Sequence, residues 1–226
     1  MIDFPQWLRD LVGSGPFRCR CGAEIQHPGI CDHCSERRDR RRADQLLEQS
    51  VSTIPQRFRQ CVYGSEVLDE RCKPEYQRDS RAIVDSLIFG TVDGAVLVGP
   101  KGVGKTSLAC AMLRELADKR AHVAWRAVYV RALDLGVSRR DSPLGVRPRA
   151  IEEACNASLL LLDDLGQEED YGPLREVIHS RHDDCKPLVV TTAWDNETLQ
   201  RRYGEGVDRR LFERAAVLRM GGGNGS

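Results

Sequence analysis

The octapeptide Gly99-Pro100-Lys101-Gly102-Val103-Gly104-Lys105-Thr106 restricts the possible folds of this chain more than any other stretch. It follows a short apolar run, Gly94-Ala95-Val96-Leu97-Val98, that reads as a buried strand. It precedes Ser107 to Lys119, where Leu108, Met112, Leu113 and Leu116 recur at helical spacing. A strand, a glycine-rich loop and a helix in that order aim a helix N-terminus and a row of backbone N–H groups at one point, where an anion is held. Gly102 and Gly104 allow tight curvature and keep any Cβ out of the anion's way. In the spacing G-x-x-x-x-G-K-T, Lys105 brings an ammonium to the β- and γ-phosphates of a nucleotide, and the Thr106 hydroxyl is placed to ligate Mg²⁺. Gly99 to Ser107 form the expected phosphate cradle. A strand-to-helix turn that binds nothing is the alternative, and a second motif weighs against it.

That motif is Leu159-Leu160-Leu161-Leu162-Asp163-Asp164, a continuous apolar run ending in two acids. Such a run suits a parallel strand buried on both faces. Adjacent carboxylates there need a cation or a polar ligand at the C-terminal edge of the sheet, unless they merely cap the next helix. Asp163 is expected on the Mg²⁺ side, and Asp164 is placed to polarise an attacking water. The two motifs together point to ATP.

Further apolar runs supply the rest of a sheet. Strands are expected at about 95–98, 123–130, 159–162, 188–192 and 216–220. Helices are expected over Asp79–Phe89, Ser107–Lys119, Ile151–Ala157, Leu174–Arg181, Leu199–Tyr203 and Val207–Arg214. Alternating strands and helices predict an α/β fold whose five-stranded parallel sheet is covered on both faces, with phosphates at the strands' C-terminal ends. Between strands lies a basic loop, Ser138 to Arg149, carrying Arg139, Arg140, Arg147 and Arg149.

The 226 residues suit one sizeable domain with a small appendage. Hydrophobic residues at 41% are enough for a core, no run is long enough to span a membrane, and no signal-peptide pattern opens the chain. A formal net charge of zero means that any nucleic-acid contact must come from local patches. Nine cysteines, an odd number unevenly spaced, argue against a disulfide framework and for a reducing cytoplasm. Cys19-x-Cys21 and Cys31-x-x-Cys34 form a four-thiol set fit to hold Zn²⁺, with His27 and His33 as substitute ligands. Arg37, Arg38, Arg40, Arg41 and Arg42 then open a charged helix, read either as a nucleic-acid contact or as a solvated linker. The expected division is a zinc module with basic linker over 1–45, a nucleotide-binding domain over 46–220 and a flexible tail over 221–226.

From Ile54-Pro55-x-Arg57-Phe58, through the glycine-rich loop and Leu162-Asp163-Asp164-Leu165-Gly166, to Lys186-Pro187-Leu188-Val189-Val190-Thr191-Thr192 and Tyr203-Gly204-Glu205, the chain resembles the AAA+ ATPases of the DnaC-type helicase-loader and IstB-type transposition-helper group. The resemblance covers about 54 to 220. It implies a three-layer αβα P-loop domain without a helical lid, ATP hydrolysis, and homo-oligomers formed on ATP binding. It also implies that Arg210, or Arg209 beside it, is an arginine finger for a neighbouring subunit. The group usually carries Asn after the two threonines, where this chain has Ala193, so Thr192 is the residue left to share the γ-phosphate-sensing role. Slow hydrolysis follows from that departure. The zinc module resembles the adaptor by which loaders grip a hexameric replicative helicase. The implied function is ATP-dependent helicase loading on single-stranded DNA, the alternative an IstB-type helper working with a transposase on duplex DNA.

Overall fold

The computed structural model describes residues 17–27, 29–120, 125–139, 142–143 and 145–221, and these fall into two compact units that divide between Arg42 and Ala43. In the first unit, β1 (Phe17–Arg18) pairs antiparallel with β2 (Glu24–Ile25) around a tight turn in which the Gly22 N–H donates to Cys19 O. Helix α1 (Asp32–Thr53) begins in this unit and ends in the second.

The second unit is built on five parallel strands, β3 (Gly94–Val98), β4 (Ala127–Arg131), β5 (Leu159–Leu165), β6 (Leu188–Thr192) and β7 (Ala215–Arg219), in the order β4-β5-β6-β3-β7. Because strand side chains alternate, successive residues enter different cores. Ala95, Leu97, Leu159, Leu161 and Val189 pack with helices α3 (Pro74–Phe89) and α4 (Lys105–Arg120). Val96, Leu160, Leu162 and Val190 pack on the other face with α5 (Ala132–Ser138), α6 (Arg149–Asn156), α7 (Gly172–Asp183), α8 (Asn196–Tyr203) and α9 (Glu205–Phe212). A short helix α2 (Glu66–Asp69) precedes α3 in the chain. The result is a three-layer αβα domain, and all four leucines of Leu159–Leu162 have no exposed surface.

Several features depart from the periodicity reading, the short helix α2 among them. Helix α3 starts at Pro74, five residues before the expected Asp79, because proline at a first helical position needs no hydrogen-bond partner for its missing N–H. Helix α5 stands just before the basic loop, where no helix was expected; its seven residues are too few to show an apolar period. Of the strand expected at 123–130, β4 forms only from Ala127, so Trp125 and Arg126 precede it; 123 and 124 lie outside the described residues, as do Arg140 and the tail from 222 onward.

The exposed edge of β4 is closed by α1. Ser50 Oγ accepts from Ala127 N at 3.1 Å and Thr53 Oγ1 from Tyr129 N at 3.0 Å. Alternate N–H groups of an edge strand point outward, and two helix hydroxyls take them in place of another strand. No described helix is long and apolar enough to cross a membrane.

Candidate nucleotide site

The phosphate loop leaves the C-terminal end of β3, a strand flanked by β6 and β7, and enters α4. Its curvature requires glycine at Gly104: φ is +90°, and a Cβ there would lie 2.2 Å from Arg71 O. The loop forms one wall of an open cleft of about 730 Å³, whose other walls include Arg57, Phe58, Glu70, Arg71, Asp164 and Gln167. Lys101 and Lys105 supply positive charge to it. Lys105 is folded inward, its Nζ donating to Gly99 O at 2.7 Å and Pro100 O at 2.8 Å. Burial pulls its pKa down, while the charges of Asp164 and Asp163 act in the opposite direction.

Behind Thr106, which lines the cleft, Asp163 is 2% exposed and accepts from three hydroxyls: Thr106 Oγ1 at 2.9 Å, Thr191 Oγ1 at 2.6 Å and Tyr129 OH at 2.8 Å. A carboxylate held by neutral donors, with a threonine hydroxyl beside it and no basic partner among the described residues, is a donor set that suits a hard dication. Asp164 follows a register shift of β5 against β6 and takes a positive φ of 56°. Its backbone N–H donates to Thr191 Oγ1 at 2.9 Å, and its side chain faces the cleft. Burial, then the charge of Asp163, pushes the Asp164 carboxyl above its usual range; Lys105 partly offsets both.

Thr191 and Tyr129 were missed by sequence reasoning. Thr191 was legible only as strand material, yet it joins both acids; Tyr129 reaches Asp163 from the neighbouring strand through the register that sets Arg131 beside Asp163. Thr192 is the residue expected from the sequence to share the γ-phosphate-sensing role. It is fully buried, its hydroxyl donates to Leu165 O at 2.9 Å and accepts from Trp194 N at 3.1 Å, so both of its hydrogen-bonding directions are in use within the fold. Ala193 separates it from Trp194.

Trp194 lies flat against Gly166, which has φ +106°. A Cβ on Gly166 would sit 2.9–3.0 Å from the indole ring atoms. Gly166→Ala should therefore destabilise the protein by about 2–4 kcal/mol, from backbone strain plus overpacking. Urea unfolding followed by tryptophan fluorescence checks this, and a loss below about 0.5 kcal/mol would mean that the contact does not constrain the loop. Beyond Gly166, buried Glu168 accepts from Gly166 N at 3.1 Å and bonds Tyr203 OH and Arg202. Arg202 in turn lies 5.3–5.8 Å from the ring centroids of Tyr171, Trp194 and Tyr203. This network ties the acid loop to α8.

Arg210 stands at the far end of the sheet. On α9 it shares a cavity with Gly94, Leu188 and Ala215, the first residues of β3, β6 and β7, whereas the phosphate loop follows the last residue of β3. Arg209 is more exposed and pairs with Glu213 at 3.8 Å. In the basic loop, Arg139 and Arg147 both bond Glu176 on α7, and Arg149 pairs with Glu153 at 3.0 Å. Three of the four arginines of the basic loop thus have carboxylate partners, and Arg140 lies outside the described residues.

In the first unit the four sulfur atoms of Cys19, Cys21, Cys31 and Cys34 lie within 4.8 Å of one another. Four thiolates at a Zn–S distance of about 2.3 Å define a tetrahedron with edges of about 3.8 Å, so little motion is needed for the set to close on zinc. Backbone N–H groups of Cys21 and then Cys31 draw the Cys19 thiol down to about 6, while hydrogen bonds from Cys21 and then Cys19 drive Cys34 up to about 12. His27 and His33 are not part of the cluster.

No protein-family model matches the chain. An insertion sequence ATP-binding protein, y4uH, of Sinorhizobium fredii is 27% identical over 169 residues, which is 70% of this chain and 66% of that relative. The DnaC helicase loader in its crystal structure is 24% identical, with a TM-score of 0.53 over 66% of this chain and 92% of that one. The replication initiator DnaA bound to AMPPCP and single-stranded DNA is 20% identical, with a TM-score of 0.54 over 69% of this chain and 50% of that one. The chain thus spans just under two thirds of the curated relative and half of DnaA. In sequence and fold it resembles the AAA+ ATPases of the DnaC-type and IstB-type group, with a four-cysteine cluster able to hold zinc ahead of the α/β domain.

Proposed function

We propose that this protein is an ATPase that loads a replicative DNA helicase. The observation that carries the reading is the joining of a four-thiol unit to an α/β domain matching 92% of the DnaC helicase loader chain. Gly99 to Ser107 would hold the triphosphate, Lys105 leaving the Gly99 and Pro100 carbonyls to meet the β- and γ-phosphates. Thr106 and Asp163 would hold Mg²⁺, which neutralises charge on the phosphates and leaves transfer itself to positioning. Asp164, with its raised pKa and cleft-facing carboxylate, is placed to accept a proton from an attacking water. Thr191 positions both acids. Neither Thr192 nor Ala193 offers a free side-chain donor to the γ-phosphate, so turnover is expected to be slow and the switch to be driven by ATP binding. The protein would work in the cytoplasm, oligomerise on ATP and contact single-stranded DNA, with the zinc unit engaging the helicase.

The insertion sequence relative favours a second reading, a transposition helper acting with a transposase on duplex DNA. Affinity capture of hexameric helicases and of transposases, with and without ATP and Mg²⁺, separates the two. Helicase capture that needs ATP and vanishes in Lys105→Ala is the expected result. Capture of a transposase alone would replace the loader reading, and capture of neither would refute both.

A further inference from the structure

The N-terminal end of the sheet holds a second cavity, of about 260 Å³, beneath Gly94, Leu188 and Ala215. Five cations line it, Arg181, Lys186, Arg209, Arg210 and Arg214, against two carboxylates, Asp93 and Glu213. Both acids are already engaged. Arg214 Nε meets Asp93 at 3.0 Å; Arg209 and His182 share the same oxygen of Glu213 at 3.8 and 3.6 Å. Lys186 pairs with Asp184 at 2.9 Å. That leaves Arg181 and Arg210 with no carboxylate among the described residues.

Arg181 is fully buried. Its Nη atoms donate to the carbonyls of Ala154, Ala157 and Pro187 at 2.6–2.8 Å, and its Nε–H is buried without a partner. Arg210 donates one Nη1 bond to Gly206 O at 2.9 Å, and its Nε–H is likewise buried and unpaired. A fully buried guanidinium without a counter-charge, as at Arg181, is costly, and at this cavity it meets the unpaired Nε–H of the half-buried Arg210, so the two arginines of α7 and α9 favour an anion between them. Burial also pulls Arg181 down to about 10, the effect an uncompensated cation shows.

We propose that this cavity binds a phosphate-class oxyanion, at a site separate from the nucleotide cleft. The anion would pair with the guanidinium groups of Arg181 and Arg210, with Lys186 adding charge. On the reading that Arg210 serves a neighbouring nucleotide, phosphate held here would keep that arginine in its own subunit and restrain hydrolysis. Binding itself rests on the cavity alone, and its test uses no ATP.

The test is a titration of inorganic phosphate into the full chain carrying Lys105→Ala, which disables the other phosphate site, at constant ionic strength against chloride. Thermal unfolding should show a saturable rise in Tm. Adding Arg210→Met, at a half-buried position, should weaken the apparent affinity about tenfold or more. Arg181→Met should do the same where it folds. No saturable rise, or an unchanged response with Arg210→Met, would overturn the site, and an equal response to acetate would overturn its phosphate class.

Discussion

Arg210→Ala should leave ATP binding intact and lower hydrolysis per subunit by about 10³–10⁵-fold under conditions where the protein oligomerises. The reason is positional. Arg210 shares a cavity with the first residues of β3, β6 and β7, while the triphosphate cradle begins after the last residue of β3. Five strand residues separate the two ends by about 13–16 Å. A guanidinium on α9 is therefore at the wrong end of the sheet for its own nucleotide, as a role toward another subunit's nucleotide requires. Arg209→Ala is the internal comparison, since Arg209 is largely exposed and paired with Glu213, and its loss should cost much less. Hydrolysis should also rise steeply with protein concentration in the wild type and hardly at all in Arg210→Ala. If the variant matched the wild type at every concentration, the finger would have to be sought elsewhere. Loss of phosphate stabilisation in that same variant would still leave the second cavity standing.

The α/β architecture was readable because its signals are local. An apolar run of four leucines can be buried on both sides only in a central strand, and the glycines of the loop announce a curve that other residues resist. The acids were readable for the same reason: Asp163 and Asp164 follow directly on that run, the first buried and the second exposed. Their partners were not. Thr191 and Tyr129 reach Asp163 through strand register, and register is fixed by pairing between segments 28 and 34 residues away. Glu168 reads as one charge in an acidic stretch, yet it is 2% exposed because Gly166, Arg202 and Tyr203 converge on it. Charge counting could not show that Arg139 and Arg147 of the basic loop turn to Glu176, a residue whose sequence neighbourhood gave no hint of them.

Removing zinc should unfold the first unit and leave the second able to bind nucleotide. Among described residues 17–42, Cys19 is the one apolar side chain that is buried, and Ile30 is exposed. Two strands of two residues each, joined by a tight turn, cannot hold themselves together in water. Zinc coordination supplies about 10–16 kcal/mol in small domains, larger than any other single contribution available to this segment. Purified protein should therefore carry one zinc per chain by metal analysis. Chelation should make all four thiols reactive together and remove amide protection from 17–34, as read by hydrogen exchange. Cys34→Ser should act in the same direction, because Cys34 lies in the first turn of α1 and links the second thiol pair to that helix. In the second unit, protection of β3 and β5 should persist, since their cores are formed by α3 to α9. Metal-free protein that kept its protection across 17–34 would show that the cysteine cluster is held by packing alone, and the zinc assignment would fall.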